Sequence, residues 1–298
     1  MWGMPWTRGF IAVDWGTTNR RAYRIDRQGE CTASFEDGQG MLSIAPGGFP
    51  AAAEAIRERL GDEPLLLAGM VGSTRGWVEA PYVPCPAGLD ELAAHLVWVE
   101  AGQVAIVPGM SILGAGQADV MRGEEIQMVG ALAAGLIPSD AFVCHPGTHN
   151  KWVTVADNRI RTFRTVMTGE MFNQISERGT LAEMIGEKVT LGEAFRDGVA
   201  RGLDGAALTA ELFSVRARVL LGDLRRADAA SFTSGLLIGA DIKVGLGMAR
   251  GAEMILLGRP ELTRLYAAGA AVAGHVAREI DGETAFLAGA LALARTLP

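Results

Sequence analysis

Short runs of apolar and β-branched residues at 9–14, 20–25 and 31–36 are separated by Trp15-Gly16-Thr17-Thr18-Asn19 and Asp26-Arg27-Gln28-Gly29, which predicts an antiparallel meander at the start of the chain. A helical period over 49–60 precedes the apolar run 64–68, and a second over 89–100 precedes a strand at 104–107. Helices that alternate with strands require crossover connections, so a partly parallel α/β sheet is expected. Between those units, Gly69 to Trp77 and prolines 81, 84 and 86 predict a long loop. Another helix starts near Gly123, with Glu124 and Glu125 in its first turn, where acids complement the helix dipole.

The opening theme then returns. An apolar strand at 141–144, a Pro-Gly-Thr turn and strands at 152–155 and 160–165, joined at Asp157-Asn158, repeat the meander. Most of 170–250 reads as helical, including 229–244; a strand at 253–257, a helix after Pro260 and a final helix at 283–296 complete the chain. Two similar halves are therefore expected, 1–118 and 119–282, with the C-terminal helix 283–298 packing back on the first. A cleft between their facing turns is the expected ligand site.

Length and charge narrow the classes. A chain of 298 residues accommodates one large or two medium domains. The net charge is −7 and no run of Lys or Arg exceeds two, which excludes the electrostatic footprint of a nucleic-acid or anionic-membrane binder. The first residues show no basic start followed by an apolar core, and no later segment runs eighteen apolar residues, so a cytoplasmic protein is expected. Cys31, Cys85 and Cys144 are odd in number and widely spaced, which predicts buried free thiols rather than a disulfide framework or a zinc site.

Candidate chemistry lies in the turns. Asp14 ends a strand, Gly16 permits close backbone approach, and Thr17, Thr18 and Asn19 add two hydroxyls and an amide. Such a turn can offer N–H groups to a phosphate while the carboxylate holds magnesium, directly or through water. A plain hairpin turn fits the same residues equally well. Neither a P-loop nor a strand followed by G-x-G-x-x-G opening a helix occurs. Cys144, His145 and His149 do not line up as a metal site, because Pro146 and Gly147 break the helix that would align them.

The strand–turn–strand at 9–25 resembles the first phosphate motif of the sugar-kinase, actin and heat-shock-ATPase superfamily. More narrowly, six blocks resemble the 2-dehydro-3-deoxygalactonokinases: Asp14 to Asn19, Ala68 to Ser73 with Gly76-Trp77, Met121 to Glu125, Pro146 to His149 with Lys151-Trp152, Phe163 to Glu170, and Ser234 to Ala240. They run in the family order along essentially the whole chain. The resemblance implies two ribonuclease-H-like domains with an interdomain cleft. It also implies ATP-dependent phosphorylation of 2-dehydro-3-deoxy-D-galactonate at its terminal hydroxyl, with ATP and Mg2+ as cofactors. The second phosphate turn of the wider superfamily usually carries an acid and a double glycine; Pro146-Gly147-Thr148-His149 departs from that and agrees with the narrower family.

The resemblance further implies roles for particular residues. Glu125 or Glu124 accepts the proton of the attacking hydroxyl, and Glu125 is preferred because Val129 and Leu132 place it beside the buried stripe. Asp14 holds the metal. Gly16, Thr17, Thr18, Asn19, Gly147, Thr148 and His149 line the phosphates, and Lys151 either contacts them or occupies a surface strand position. Gly258 and Gly235 flank the adenosine, although small residues at i and i+4 also suit close helix packing. The sugar acid falls to Gly72, Ser73, Trp77, Thr168 and Glu170, with Arg20, Arg75, Arg122 or Arg164 for its carboxylate, since guanidinium groups bind carboxylates bidentately. The partners implied are the sugar acid and ATP, with no nucleic acid and no membrane, and a homodimer is left open. The gluconate epimer as substrate, a non-catalytic sugar sensor and a phosphohydrolase on the same fold are the competing readings.

Overall fold

The computed structural model describes residues 5–114, 116–205, 207–249 and 251–297. Two compact units emerge: unit one comprises Met1–Asp140, Val155–Thr162 and Gly282–Pro298, and unit two Ala141–Thr154 and Phe163–Asp281.

Unit one opens with strands β1 (Gly9–Trp15), β2 (Arg20–Asp26) and β3 (Cys31–Asp37), then helix α1 (Phe49–Leu60) and strand β4 (Leu65–Gly69). Strand β5 (Tyr82–Pro84), helix α2 (Leu89–Ala94), strands β6 (Val97–Glu100), β7 (Val104–Ile106), β8 (Gly109–Gly114) and β9 (Gln117–Met121), and helix α3 (Glu124–Ala133) follow. The main sheet runs β3-β2-β1-β4-β7-β6. In it Asp14 pairs with Arg21 across an antiparallel ladder and with Ala68 across a parallel one. Every residue of β4 is buried, as expected of a central parallel strand covered on both faces.

Unit two contains β10 (Ala141–His145), β11 (Asn150–Ala156) and β12 (Arg159–Val166) apart from 155–162, which cluster with unit one, and α4 (Thr168–Glu177), α5 (Glu193–Asp204), α6 (Leu208–Leu220), α7 (Ala229–Ala249), β13 (Met254–Gly258), α8 (Pro260–Val272) and β14 (Ala277–Asp281). Its sheet order, β12-β11-β10-β13-β14, repeats the first five places of the other sheet, β3-β2-β1-β4-β7. The duplicated meander is thus a duplicated sheet topology. The last helix, α9 (Gly282–Thr296), belongs to unit one; Pro298, the end of the expected 283–298 helix, lies outside the described residues.

Unit one also takes in 119–140, which the sequence reading assigns to the second half. The reason is packing: Gly130 of α3 and Gly289 of α9 let the two helices touch backbone to backbone, because a Cβ on either would fall on a carbonyl oxygen of the other helix. Four other expectations change. The helical period 89–100 stops at Ala94, and Val97–Glu100 becomes an edge strand antiparallel to β7, since Val-Trp-Val suits a pleated surface better than a helix. The expected loop contributes β5, which joins β8 and β9 of the segment before α3 in a separate three-stranded sheet. The segment 277–281 is a strand. Of the three free cysteines only Cys144 is buried, and Cys31 is exposed.

Helix α7 is apolar on nearly every face and forms the core of unit two, with Phe232, Leu236, Ile238 and Ile242 at most 4% exposed. By length and composition its segment is the one among the described residues that could cross a membrane; 67% of its most apolar window is buried in the fold.

Candidate functional site

The β1–β2 turn is held from behind by backbone alone. Gly16 N–H donates to the Asn19 carbonyl (2.9 Å), Met41 N–H to Gly16 (2.9 Å), Leu42 N–H to Thr17 (3.0 Å) and Gly40 N–H to Thr18 (3.1 Å). The C=O and N–H of a planar trans peptide point in opposite directions, so capture of these carbonyls turns the N–H groups of Thr17, Thr18 and Asn19 the other way, toward solvent. Three exposed residues whose amides face away from that backing can hold an anion. Gly40 is what permits it, because a Cβ there would fall on the Thr18 backbone. Sequence reasoning missed the 40–42 segment; the Gly-Gln-Gly at 38–40 is its one local signal. Asp14, at the end of β1, forms an ion pair with Arg21 of β2 (3.2 Å), a cation the sequence reading passed over for its neighbour.

Arg20 points the opposite way, as strand alternation requires. Its guanidinium is 5% exposed, donates to both carboxylate oxygens of Asp37 (3.0 and 3.2 Å) and to the Ala52 carbonyl (3.2 Å), and lies over the Trp15 ring. It is a core ion pair, which removes Arg20 from the substrate contacts expected of it.

At the start of α3 the two glutamates part company. Gly123 adopts φ 103°, a left-handed conformation that a side chain would strain, and its N–H donates to both Glu125 oxygens (2.8 and 2.7 Å). Glu125 is fully buried, and desolvation together with the neighbouring Glu124 raises its pKa to about 8, against the pull of the Gly123 N–H and Arg122. Glu124 stays half-buried and accepts from the Arg122 N–H (3.0 Å).

Arg122 itself lies 4.4 Å over the Tyr82 ring and donates through Nη2 to the Ala80 carbonyl (2.7 Å). Its Nε and Nη1 are buried with no hydrogen-bond partner among the described residues, as is Ser73 Oγ. Gly72 admits the guanidinium, since a Cβ there would stand 2.9 Å from Nη1. Nearby in unit one, Arg75 and Trp77 border a pocket of about 540 Å³ with Met41, Leu42 and Phe49, and Trp77 stacks on Phe49 at 6.3 Å.

The second turn is backed by side chains and a helix start. Glu170 N–H donates to the Thr148 carbonyl (2.9 Å), and Lys151 Nζ to that of His149 (3.2 Å). Lys151 is 3% exposed, which corrects the surface-strand alternative. His149 and Glu170 pair at 2.5 Å on the surface. Gly169 allows α4 to press on the Gly147 carbonyl, and at Gly258, which ends β13, an added Cβ would stand 3.5 Å from the Pro146 carbonyl, an ordinary contact. Beside the turn lies a pocket of about 320 Å³ walled by Thr148, Thr168, Phe172, Leu237, Leu265 and Tyr266. Thr168, expected at the sugar, borders this pocket, and Arg164 is exposed on β12. Ser234 also borders the pocket, but Gly235 does not: it faces α5, where a Cβ would strike the Phe195 carbonyl, so its role is close helix packing rather than nucleotide contact.

Among the described residues no group of three or more His, Cys, Asp and Glu side chains forms a metal cage. The single Asp14 carboxylate beside an anion cradle fits a magnesium ion carried in by nucleotide phosphates, a common mode for that ion.

Comparison with known proteins gives a consistent result. The family model for 2-keto-3-deoxy-galactonokinase matches residues 14–293. A protein of Escherichia coli strain K12 named 2-dehydro-3-deoxygalactonokinase is 36% identical over 98% of this chain and 99% of its own, and a Rhizobium meliloti relative of the same description is 36% identical over 97% of each. The crystal structure of a Sinorhizobium meliloti protein so described superposes with a TM-score of 0.90 at 35% identity, covering 96% of this chain and 98% of that one. Component A of an (R)-2-hydroxyglutaryl-CoA dehydratase from Acidaminococcus fermentans shares the fold alone, at TM-score 0.51 and 14% identity.

Proposed function

Because the chain belongs to the 2-keto-3-deoxy-galactonokinase family, we propose that it transfers the γ-phosphoryl group of ATP to the terminal 6-hydroxyl of 2-dehydro-3-deoxy-D-galactonate, giving the 6-phosphate and ADP. It is a carbohydrate kinase of the galactonate pathway on the actin-like, ribonuclease-H-like fold. The observation that carries the assignment of roles is the β1–β2 turn, whose carbonyls are all taken from behind while its amides face outward.

In this reading the N–H groups of Thr17, Thr18 and Asn19 cradle phosphate oxygens, and Asp14, steadied by Arg21, meets the magnesium that the nucleotide carries. That ion, when bound, neutralises the charge on the phosphates. Glu125 accepts the proton of the hydroxyl as its oxygen bonds to the γ-phosphorus and the bond to ADP breaks. A base with a pKa near 8 retains enough proton affinity for that task at neutral pH, where an ordinary carboxylate is a weaker acceptor. Arg75, beside Trp77, takes the carboxylate of the sugar acid, while the unspent donors of Arg122 and Ser73 take oxygens nearer the reacting end. Glu125, Ser73 Oγ and the free edge of Arg122 are all closed off from solvent, so the mechanism requires the segment around Gly123 to open as substrate enters. The second turn and its pocket take the nucleotide: Gly147 and Thr148 at the phosphates, backed by Lys151, and Thr168, Leu237 and Tyr266 around the nucleoside. ATP and magnesium are both cytoplasmic, and the enzyme is assigned there.

Incubation with ATP, with and without the sugar acid, tests the reading. ADP and phosphosugar in equal amounts are expected only when both substrates are present; phosphate without phosphosugar would mean a hydrolase, and no turnover a sensor. The same coupled assay run with the gluconate epimer fixes the stereochemical preference.

A further inference from the structure

One buried carboxylate in unit two has no part in the chemistry above. Asp241 of α7 is 1% exposed, and each of its oxygens accepts twice. Oδ1 takes Asn150 Nδ2 (3.0 Å) and Trp152 Nε1 (2.7 Å). Oδ2 takes Thr168 Oγ1 (2.5 Å) and the Tyr266 hydroxyl. Asn150 is itself anchored, accepting from Cys144 Sγ (3.2 Å).

These four donors come from three different elements. Asn150 and Trp152 lie on β11, directly after the second turn; Thr168 opens α4; Tyr266 lies on α8. The pocket beside the turn is walled by the same turn, by α4 and α8, and by Leu237 and Ile238 of α7, which lie three and four residues before Asp241 and so on its face of the helix. Two of the donors, Thr168 and Tyr266, are themselves wall residues. An apolar core would hold these elements together without specifying their register, whereas a carboxylate saturated by four donors of fixed direction does specify it. A buried carboxylate is costly to keep, and burial does push the pKa of Asp241 up, against the four donors that pull it down.

We infer that Asp241 is a positioning residue for the nucleotide: it sets the walls of the unit-two pocket and the strand that follows the second turn in one register, and thereby governs ATP binding. The inference rests on the assignment of that pocket to the nucleotide.

The substitutions separate this role from a merely structural one. In Asp241→Asn the retained oxygen can still face the two nitrogen donors, while the new NH2 meets two hydroxyls able to reverse and accept, so the fold is kept and the charge is lost. Tyr266→Phe removes one donor and leaves the carboxylate. With the enzyme otherwise intact, the KM for ATP is expected to rise about tenfold in Asp241→Asn and about threefold in Tyr266→Phe, with the KM for the sugar acid within about twofold of wild type. Lower melting temperatures in both variants with an unchanged KM for ATP would overturn the inference and leave Asp241 as a core residue; should Asp241→Asn fail to fold, Tyr266→Phe decides by the same criterion. Hydrogen exchange on the wild-type enzyme with and without ADP tests the premise separately. Slowed exchange in 168–173, 234–238 and 262–266 is expected, and no protection there would remove the nucleotide from this pocket and the inference with it.

Discussion

The two turns that open the two meanders occupy corresponding places in the duplicated topology, yet they are built differently. The first, Gly16 to Asn19, is backed by backbone N–H groups of 40–42, so its shape depends on one close approach at Gly40 and hardly at all on side-chain identity. The second, Pro146 to His149, is backed by Lys151, by the start of α4 and, one strand residue on, by Asn150 and its partner Asp241. The first turn is held through backbone alone, and the second through one backbone N–H of α4 together with buried side chains. The first solution is sensitive to added volume and the second to lost polarity, since an unsatisfied buried carbonyl or carboxylate costs more than the bond it replaces gains.

The largest effect expected lies beside the first turn. Glu125→Gln should lower kcat by roughly 10²–10⁴-fold with little change in either KM, the range for loss of a general base. In the wild type, kcat/KM should fall as pH drops below about 8, because the carboxylate of the free enzyme is then protonated. The same residue predicts a stability change of opposite sense. Its pKa is higher folded than unfolded, so the folded state holds the extra proton between the ordinary carboxylate range and about 8, and stability declines as pH rises through that window. Glu125→Gln removes this decline, so above pH 8 the inactive variant should melt at a higher temperature than wild type. A wild-type kcat/KM independent of pH between 6 and 9 would remove Glu125 as the base.

Next comes Gly40→Ala, which adds volume where the first turn has none to spare. Displacing the cradle by about an ångström should cost roughly a hundredfold in kcat, since phosphoryl transfer depends on positioning. The matching disruption of the second turn is Lys151→Met, which keeps the bulk and removes the donor to the His149 carbonyl; a loss of about 1–3 kcal/mol, read as a KM for ATP raised about tenfold, is expected. If Lys151→Met were the more damaging of the two in kcat, the proposed division between a reacting side and a nucleotide side would be reversed. The smallest effect belongs to His149→Ala. Its pair with Glu170 is 47% and 37% exposed, and exposed pairs are worth less than about 1 kcal/mol, so a few-fold change in the KM for ATP is the most to expect.

Much of this was legible along the chain. The strand periodicity of 9–36 and its return after 141 mark a duplicated meander, and the glycine and polar residues at 16–19 mark the turn that joins its first two strands, because such residues favour turns. Two edge strands were not legible: 97–100 shares its apolar period with the helix before it, and 277–281 has polar positions that only a neighbouring strand organises. Arg20 and Arg21 are indistinguishable as neighbours in sequence, and only the pleat sends one into the core with Asp37 and the other to Asp14.

Local chemistry and periodicity, then, were determined by the sequence itself: the family blocks, the two meanders, the α3 start with its paired acids, and the glycine-rich packing face of α7. Tertiary structure alone decided that 40–42 stands behind the first turn, and that Asp241, ninety-one residues from Asn150 and a single acid in an apolar helix, ties β11, α4 and α8 together. The physical reason is range. A turn or a helix cap is governed by residues within a few positions, whereas burial, pKa and the satisfaction of a buried carboxylate depend on groups that only folding brings within hydrogen-bond distance.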